Sequence, residues 1–343
     1  MKRAIYIKGA EQISIQHPLC EEWMEAPVEY NVKFTRSIDP DFKQFLSPIE
    51  ARRMGKILKR ALATSLRTIE KSGITPQAII TGTGLGCIEN TELFLDALCR
   101  EGEELLKPTH FMQSTHNTIS SLLAIHTKAH GYNVTYAHKG ISFDSALYDA
   151  YLQFSLGKIT SALVGGHDEM TPSYFSLLEK TGYLGTPGMV TAGETAVSIM
   201  LSGNSDGAMC ELASMRMLYR PTAERIATTI DAMLQESDLA PDSIPAIMTG
   251  INGNEENDSI YSTLLEALPF KAATLKYKHI FGESYTASGL GLYAAAHCIG
   301  REHIPTHMVY GHASVPKSTE AMLLLNHSDG KTVTLTLLKA IKG

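Results

Sequence analysis

The stretch at 133–170, NVTYAHKGISFDSALYDAYLQFSLGKITSALVGGHDEM, constrains the fold more than any other. It opens on a β-branched strand (NVTY) and a tight loop (AHKG). A helix follows with Ile141, Ala146, Leu147, Ala150 and Leu152 at helical spacing, and then a buried strand (SALVGG) that closes on an acidic turn. A strand that feeds a helix N-terminus through a glycine loop is a place where a thiol is acidified and an oxyanion stabilised. In this chain the loop ends in Lys139, Gly140 and Ile141, none of which is a nucleophile.

Strand and helix signals alternate through the remainder. Residues 4–15 alternate like a strand, and residues 47–72 carry the periodicity of one long amphipathic helix stopped by Gly73. QAIITGTGLG then reads as a buried strand entering a glycine turn at Gly82, Gly84 and Gly86. Its G-x-G-x-G spacing is not that of a dinucleotide-binding loop, and no acidic residue closes a second strand about twenty residues on. Helices are expected over 90–106 and from the proline loop at 107 to Gly131. His126 and His130 stand four apart, without a glutamate or third ligand to make a metal site. The second half repeats the alternation. It contains an amphipathic helix with Glu224 and Asp231 on its polar side, and it ends in a hairpin whose Asp329-Gly330 forms the tight turn. Two such halves, 1–205 and 206–343, imply stacked helices between two mixed sheets.

A hydrophobic fraction of 44% and a charged fraction of 19% supply an ample core. The net charge of −6, with signs interspersed, argues against nonspecific nucleic-acid binding. Five scattered cysteines read as reduced, mostly buried thiols. With no apolar run of membrane-spanning or signal length, the expected location is the cytoplasm, without nucleic-acid or membrane partners. The one basic cluster is Arg52, Arg53, Lys56, Lys59 and Arg60, read as a solvated helix face or as a docking patch for an acidic carrier protein.

The sequence resembles the β-ketoacyl synthases of the thiolase fold. Gly157, Gly165 and Gly166 match that family's central stretch, Gly193, Glu194 and Ala196 its Gly-Glu-Gly-Ala turn, and Lys278 and Gly282 its Lys-Ser-x-x-Gly-His run. Pro108, Asn117, Asn257 and Asp258 also match. The resemblance implies an α/β thiolase-like fold, two pseudo-duplicated halves forming a five-layer αβαβα sandwich. It also implies a Cys-His-His catalytic set, in which a thiolate takes the acyl group and two imidazoles stabilise an enolate. Those three positions fall on Gly140, Asn252 and Glu283, while Lys278 is retained. A carboxylate at 283 would also repel a malonyl carboxylate. The family's gating loop near the C-terminus is shortened to NHSDGK.

The expectation is therefore a fold kept without its chemistry, the chain-length-factor type. The SFDSAL helix and GGHDE turn resemble the compact form of aryl-polyene and flexirubin-like pathways. Such a subunit would pair with an active ketosynthase as a heterodimer and serve acyl carrier protein, with no cofactor or metal. It would bound the acyl tunnel through Phe111, Met112, Thr115 and His116. The alternative is a divergent acyltransferase or decarboxylase acting on carrier-protein thioesters through Ser142, Glu283 or Lys278. Against the serine version, Ser142 also reads as a helix cap and no paired base is evident.

Overall fold

The computed structural model describes residues 3–103 and 106–341. Ten strands form one sheet: β1 (Tyr6–Ile13), β2 (Ala78–Gly82), β3 (Tyr132–Tyr136), β4 (Ser161–Asp168), β5 (Thr195–Ser202), β6 (Cys210–Tyr219), β7 (Ala246–Thr249), β8 (Ala273–Lys276), β9 (Ala321–Ser328) and β10 (Thr332–Lys339). Their order is β3-β2-β4-β5-β1-β6-β10-β9-β7-β8. From either edge inward the sequence of strands is the same: third, second, fourth, fifth, first. The orientations repeat as well, with β2 parallel to β3 and β4, β7 parallel to β8 and β9, and the remaining pairs antiparallel. The two sheets expected from the sequence are thus joined: the five strands of each half form one layer, and β1 and β6 link the layers into a continuous sheet by pairing at Tyr6↔Glu211 and Ile7↔Cys210.

The helices are α1 (Pro48–Arg52), α2 (Lys56–Ser72), α3 (Ile88–Glu101), α4 (Pro108–Ser114), α5 (Thr118–Thr127), α6 (Ser142–Ser155), α7 (Pro172–Lys180), α8 (Ala223–Glu236), α9 (Glu255–Glu266), α10 (Lys278–Phe281) and α11 (Ala287–Gly300). Alternation along the strands sorts them into layers. Ile79, Leu163 and Met200 face outward, onto Ile57, Leu58 and Leu62 of α2 and Ile119 and Leu123 of α5. Ile80, Val164 and Ile199 face inward, onto α6 and α11. In the second half Ile247, Leu323 and Leu335 pack outward on α8 and α9. The result is the five-layer αβαβα sandwich of the thiolase-like fold. α11 is apolar on every side and buried along nearly its whole length, as a central layer requires.

Several local expectations need correction. The helix expected over 47–72 is two, because Arg53, Met54 and Gly55 break it. Ser47 caps the first with a capping box, and Gly73 ends the second in the left-handed region at φ 64°. The helix from the proline loop splits into α4 and α5 and ends at Thr127, with Lys128 as its C-cap, short of Gly131. The helix expected over 90–106 is α3, which ends at Glu101; residues 104 and 105 lie outside the described residues. Of the five free cysteines, Cys99 is exposed and Cys20 half-buried. Arg60 is no part of a surface patch, because it is fully buried and paired with Glu194 (2.8 Å) and Asp39 (2.5 Å).

The glycine turn after β2 is spent internally. The Asp168 carboxylate accepts hydrogen bonds from the backbone N–H of Gly84 (2.9 Å) and Leu85 (2.8 Å) and from the Thr83 hydroxyl (3.0 Å). A loop that cradles its own carboxylate has no donors left for a phosphate. Burial pushes Asp168 up to about 6 and the neighbouring Glu169, whose one described donor is the Glu89 N–H, up to about 7. A carboxyl whose folded-state pKa lies above its unfolded value keeps its proton longer in the folded chain. The associated stability is complete below pH 4.5 and is lost as the pH climbs through about 7. In urea titrations at pH 5 and pH 8, Glu169→Gln is expected to lose less stability between the two than the parent does, by about 2 kcal/mol. Equal losses would show that Glu169 titrates at its ordinary value.

Candidate functional site

Gly140, Asn252, Lys278 and Glu283 come from four segments and line one cavity of about 340 Å³. The turn before α6 brings Gly140, the β7–α9 loop Asn252, α10 Lys278, and the α10–α11 loop Glu283. The β9–β10 hairpin closes one wall with Asn326, His327, Ser328 and Asp329. The segment after α7 closes another with Tyr183 and Leu184.

α6 reaches the cavity because its first turn lies against the end of β2. A Cβ on Gly82 would run into the Ser142 carbonyl, so that position admits glycine alone. Gly140 is different. A Cβ there would meet only Ser328 Oγ, at 3.9 Å, so a side chain at 140 would stand in open space.

The other three side chains are tied together. Glu283 Oε2 accepts from Asn252 Nδ2 (2.6 Å) and from Lys278 Nζ (2.8 Å). Asn252 Oδ1 accepts from Asn257 Nδ2 (3.0 Å) and the Asn254 N–H (3.0 Å). Asp258 in turn holds the backbone N–H of Asn252 (3.0 Å) and Gly253 (2.9 Å). The side chains of Lys278 and Glu283 are only 11% and 10% exposed. Removing one partner from so buried a pair strands the other charge and costs about 3 kcal/mol, whereas removing both costs much less. Glu283→Ala and Lys278→Met should each lower the urea midpoint accordingly, and the double variant should recover most of the loss. A double variant as unstable as the sum of the two would show that the pair is not coupled.

Ser142 is not the helix cap. It lies inside α6, fully buried; its hydroxyl accepts from the His138 N–H (2.7 Å) and lies within hydrogen-bonding distance of the Lys139 (2.7 Å) and Thr83 (2.9 Å) carbonyls. Among the described residues no imidazole bonds it; the His138 ring faces Ser145 Oγ at 3.3 Å. A serine so enclosed and without a base is not a nucleophile. Beneath the cavity the buried Asp144 carboxylate accepts from Ser288 (2.6 Å), Thr334 (2.7 Å) and Asn326 (3.0 Å). It ties α6 to α11 and the hairpin, and burial raises its pKa.

His327 and Tyr183 belong to the cavity and escape a reading by motif. His327 is the only imidazole among the described lining residues. It is spent: Nδ1 accepts from the Gly330 N–H (3.4 Å), leaving Nε2 to donate to the Asn257 carbonyl (3.3 Å). Burial, with Lys278 nearby, pushes its pKa down to about 4, so the ring is neutral. The signal lies in NHSDGK, a histidine placed just before the tight turn that closes the hairpin.

Phe111, Met112, Thr115 and His116 lie apart from the cavity, on and after α4, and all four are exposed. His116 packs against the Gly86 turn, and the Phe111 ring sits 5.4 Å from Phe94. With Leu93, Leu95, Ile125 and Tyr132 they leave apolar side chains open to solvent along α3, α4, α5 and the edge strand β3. Among the described residues no group of three or more metal-ligating side chains occurs, and no helix is long and apolar enough to cross a membrane.

The family model of the β-ketoacyl synthase N-terminal domain matches residues 22–247, more than half of the chain. The chain belongs to the β-ketoacyl synthase family. Among solved structures, the ishigamide ketosynthase/chain length factor aligns with a TM-score of 0.81 at 18% identity, over 100% of both chains. A ketosynthase in complex with its chain length factor, ApeO and ApeC of Xenorhabdus doucetiae, gives 0.77 at 14%, over 99% of this chain and 98% of that one. The AntDE:AntF complex of a type II PKS acyl-carrier protein with its ketosynthase gives 0.76 at 14%, over 99% and 100%. At these identities the likeness is one of fold. No curated protein matches the sequence significantly.

Proposed function

We propose that this β-ketoacyl synthase family member is the non-catalytic, chain-length-factor-like subunit of a heterodimer. It pairs with an active ketosynthase and bounds the tunnel in which a polyene chain of the aryl-polyene type grows in the cytoplasm. One observation carries the reading. Where the family's chemistry requires a thiol and two imidazoles around one cavity, this cavity holds Gly140, Asn252 and Glu283, with Glu283 bonded to both Asn252 and Lys278. Among the described lining residues there is no thiol, and the one imidazole has both nitrogens engaged.

The apolar surface of α3, α4, α5 and β3 supports the partner half of the proposal, since large apolar side chains left exposed on elements beside an unpaired sheet edge ask for cover. Its flank is basic. Arg52, Arg53 and Lys56 are exposed without an ion pair among the described residues, and Gln113 Nε2 of α4 bonds the Arg53 carbonyl at 2.6 Å. Those three cations suit the acidic surface of an acyl carrier protein.

Co-expression with a ketosynthase encoded beside it, followed by condensation assays with malonyl-carrier protein, tests the proposal. Chain extension by the pair alone is the expected result. Turnover of malonyl or acyl thioesters by this subunit alone would overturn it.

A further inference from the structure

If the site's chemistry is gone, the cavity is not. Its volume of about 340 Å³ falls within the range of small-ligand sites. The open space at Gly140 enlarges it where a side chain would stand. The charged groups among its described lining residues are Lys278, Glu256, Glu283 and Asp329: one positive and three negative, a formal balance of −2. The one ammonium is already neutralised by Glu283 at 2.8 Å. The hydroxyls of Tyr183 and Ser328 make no hydrogen bond within the chain among the described residues, and the Tyr183 and Tyr285 rings lie stacked with centroids 6.0 Å apart. Unused hydroxyls and aromatic faces can receive an amide or a carbonyl. A second carboxylate would enter a partly buried, net-negative space with no free cation to meet it.

We infer that this cavity is a binding site for uncharged, amide-bearing chains and refuses carboxylate-bearing ones, with Glu283 setting the sign of the selection. The inference rests on the proposed function only in taking the site to be non-catalytic. It is measured on the chain alone, so failure to pair with a ketosynthase would not touch it.

Two probes differ by one carboxylate and carry no cleavable thioester: N,N′-diacetylethylenediamine and its malonyl counterpart. In ligand-observed NMR titrations the full chain is expected to bind the uncharged probe at least about tenfold more tightly than the malonyl one. Glu283→Gln frees the Lys278 charge and should bring the two affinities within about twofold of each other or invert them. Gly140→Phe fills the open space and should abolish binding of the uncharged probe. Should Glu283→Gln not fold, Asp329→Asn decides instead, because asparagine tolerates the left-handed φ of 49° at this turn. It should narrow the ratio about threefold. Equal wild-type affinities, no saturable binding of the uncharged probe, a ratio that neither charge variant moves, or binding undiminished by Gly140→Phe would each overturn the inference.

Discussion

Arg60→Leu is expected to cost about 3–5 kcal/mol, among the largest losses available to a single substitution in this chain. The side chain is 1% exposed, and its guanidinium lies between Glu194, itself 1% exposed, and Asp39. Without Arg60 the Glu194 carboxylate keeps only the N–H groups of Ser37 (2.9 Å) and Met170 (3.4 Å), with the buried Glu169 nearby. An uncompensated buried charge is what makes half of an ion pair costlier than none. Arg60→Lys should rescue only part of the loss, since one ammonium on a flexible stem cannot reproduce two directed contacts. The measurement is the urea midpoint of both variants, with Glu194→Gln/Arg60→Leu as the paired control. A wild-type midpoint for Arg60→Leu would show that the pair contributes nothing; a double variant no better than the single one would leave the stranded carboxylate out of the explanation.

That arginine also shows where the sequence stops being legible. Periodicity places Arg60 beside Ile57, Ala61 and Thr64 on the inward side of α2, so its burial was available in principle. Its acidic partners lie elsewhere in the chain, and four other cations within nine residues suggested a solvated run. The duplicated architecture was far more accessible, because each half must bury strand faces on both sides and writes that need as alternating strands and helices. The glycine turn illustrates a middle case. Its spacing excluded a dinucleotide, but that Asp168 occupies the turn is a fact of tertiary structure. The cavity divides in the same way. Gly140, Asn252, Lys278 and Glu283 are found by motif because they sit in or beside loops with characteristic glycines. Asn326, His327 and Tyr183 arrive from a hairpin and a connecting segment whose approach no local pattern announces.

Phe111→Asp and Met112→Asp together are expected to weaken the proposed pairing with a ketosynthase by at least about a hundredfold while leaving the isolated subunit as stable as before. Truncating a hot-spot side chain at the centre of an interface costs about 2 kcal/mol or more, and here a carboxylate would be buried as well. Phe111 is 57% and Met112 64% exposed, so neither side chain holds the subunit's own core together. Their exposure is hard to understand in a chain that works alone, because Leu93 and Leu95 on α3, Ile125 on α5 and Tyr132 on the edge strand β3 are exposed as well. Size-exclusion chromatography of the co-expressed pair reads the association, and thermal melting of the variant subunit reads its fold. Intact pairing with both carboxylates in place would move the interface off this surface. The gentler Phe111→Ala separates covering from measuring: if these side chains also bound the tunnel, the pair still assembles and its products lengthen. If they only fill the interface, assembly weakens modestly and product length stays the same.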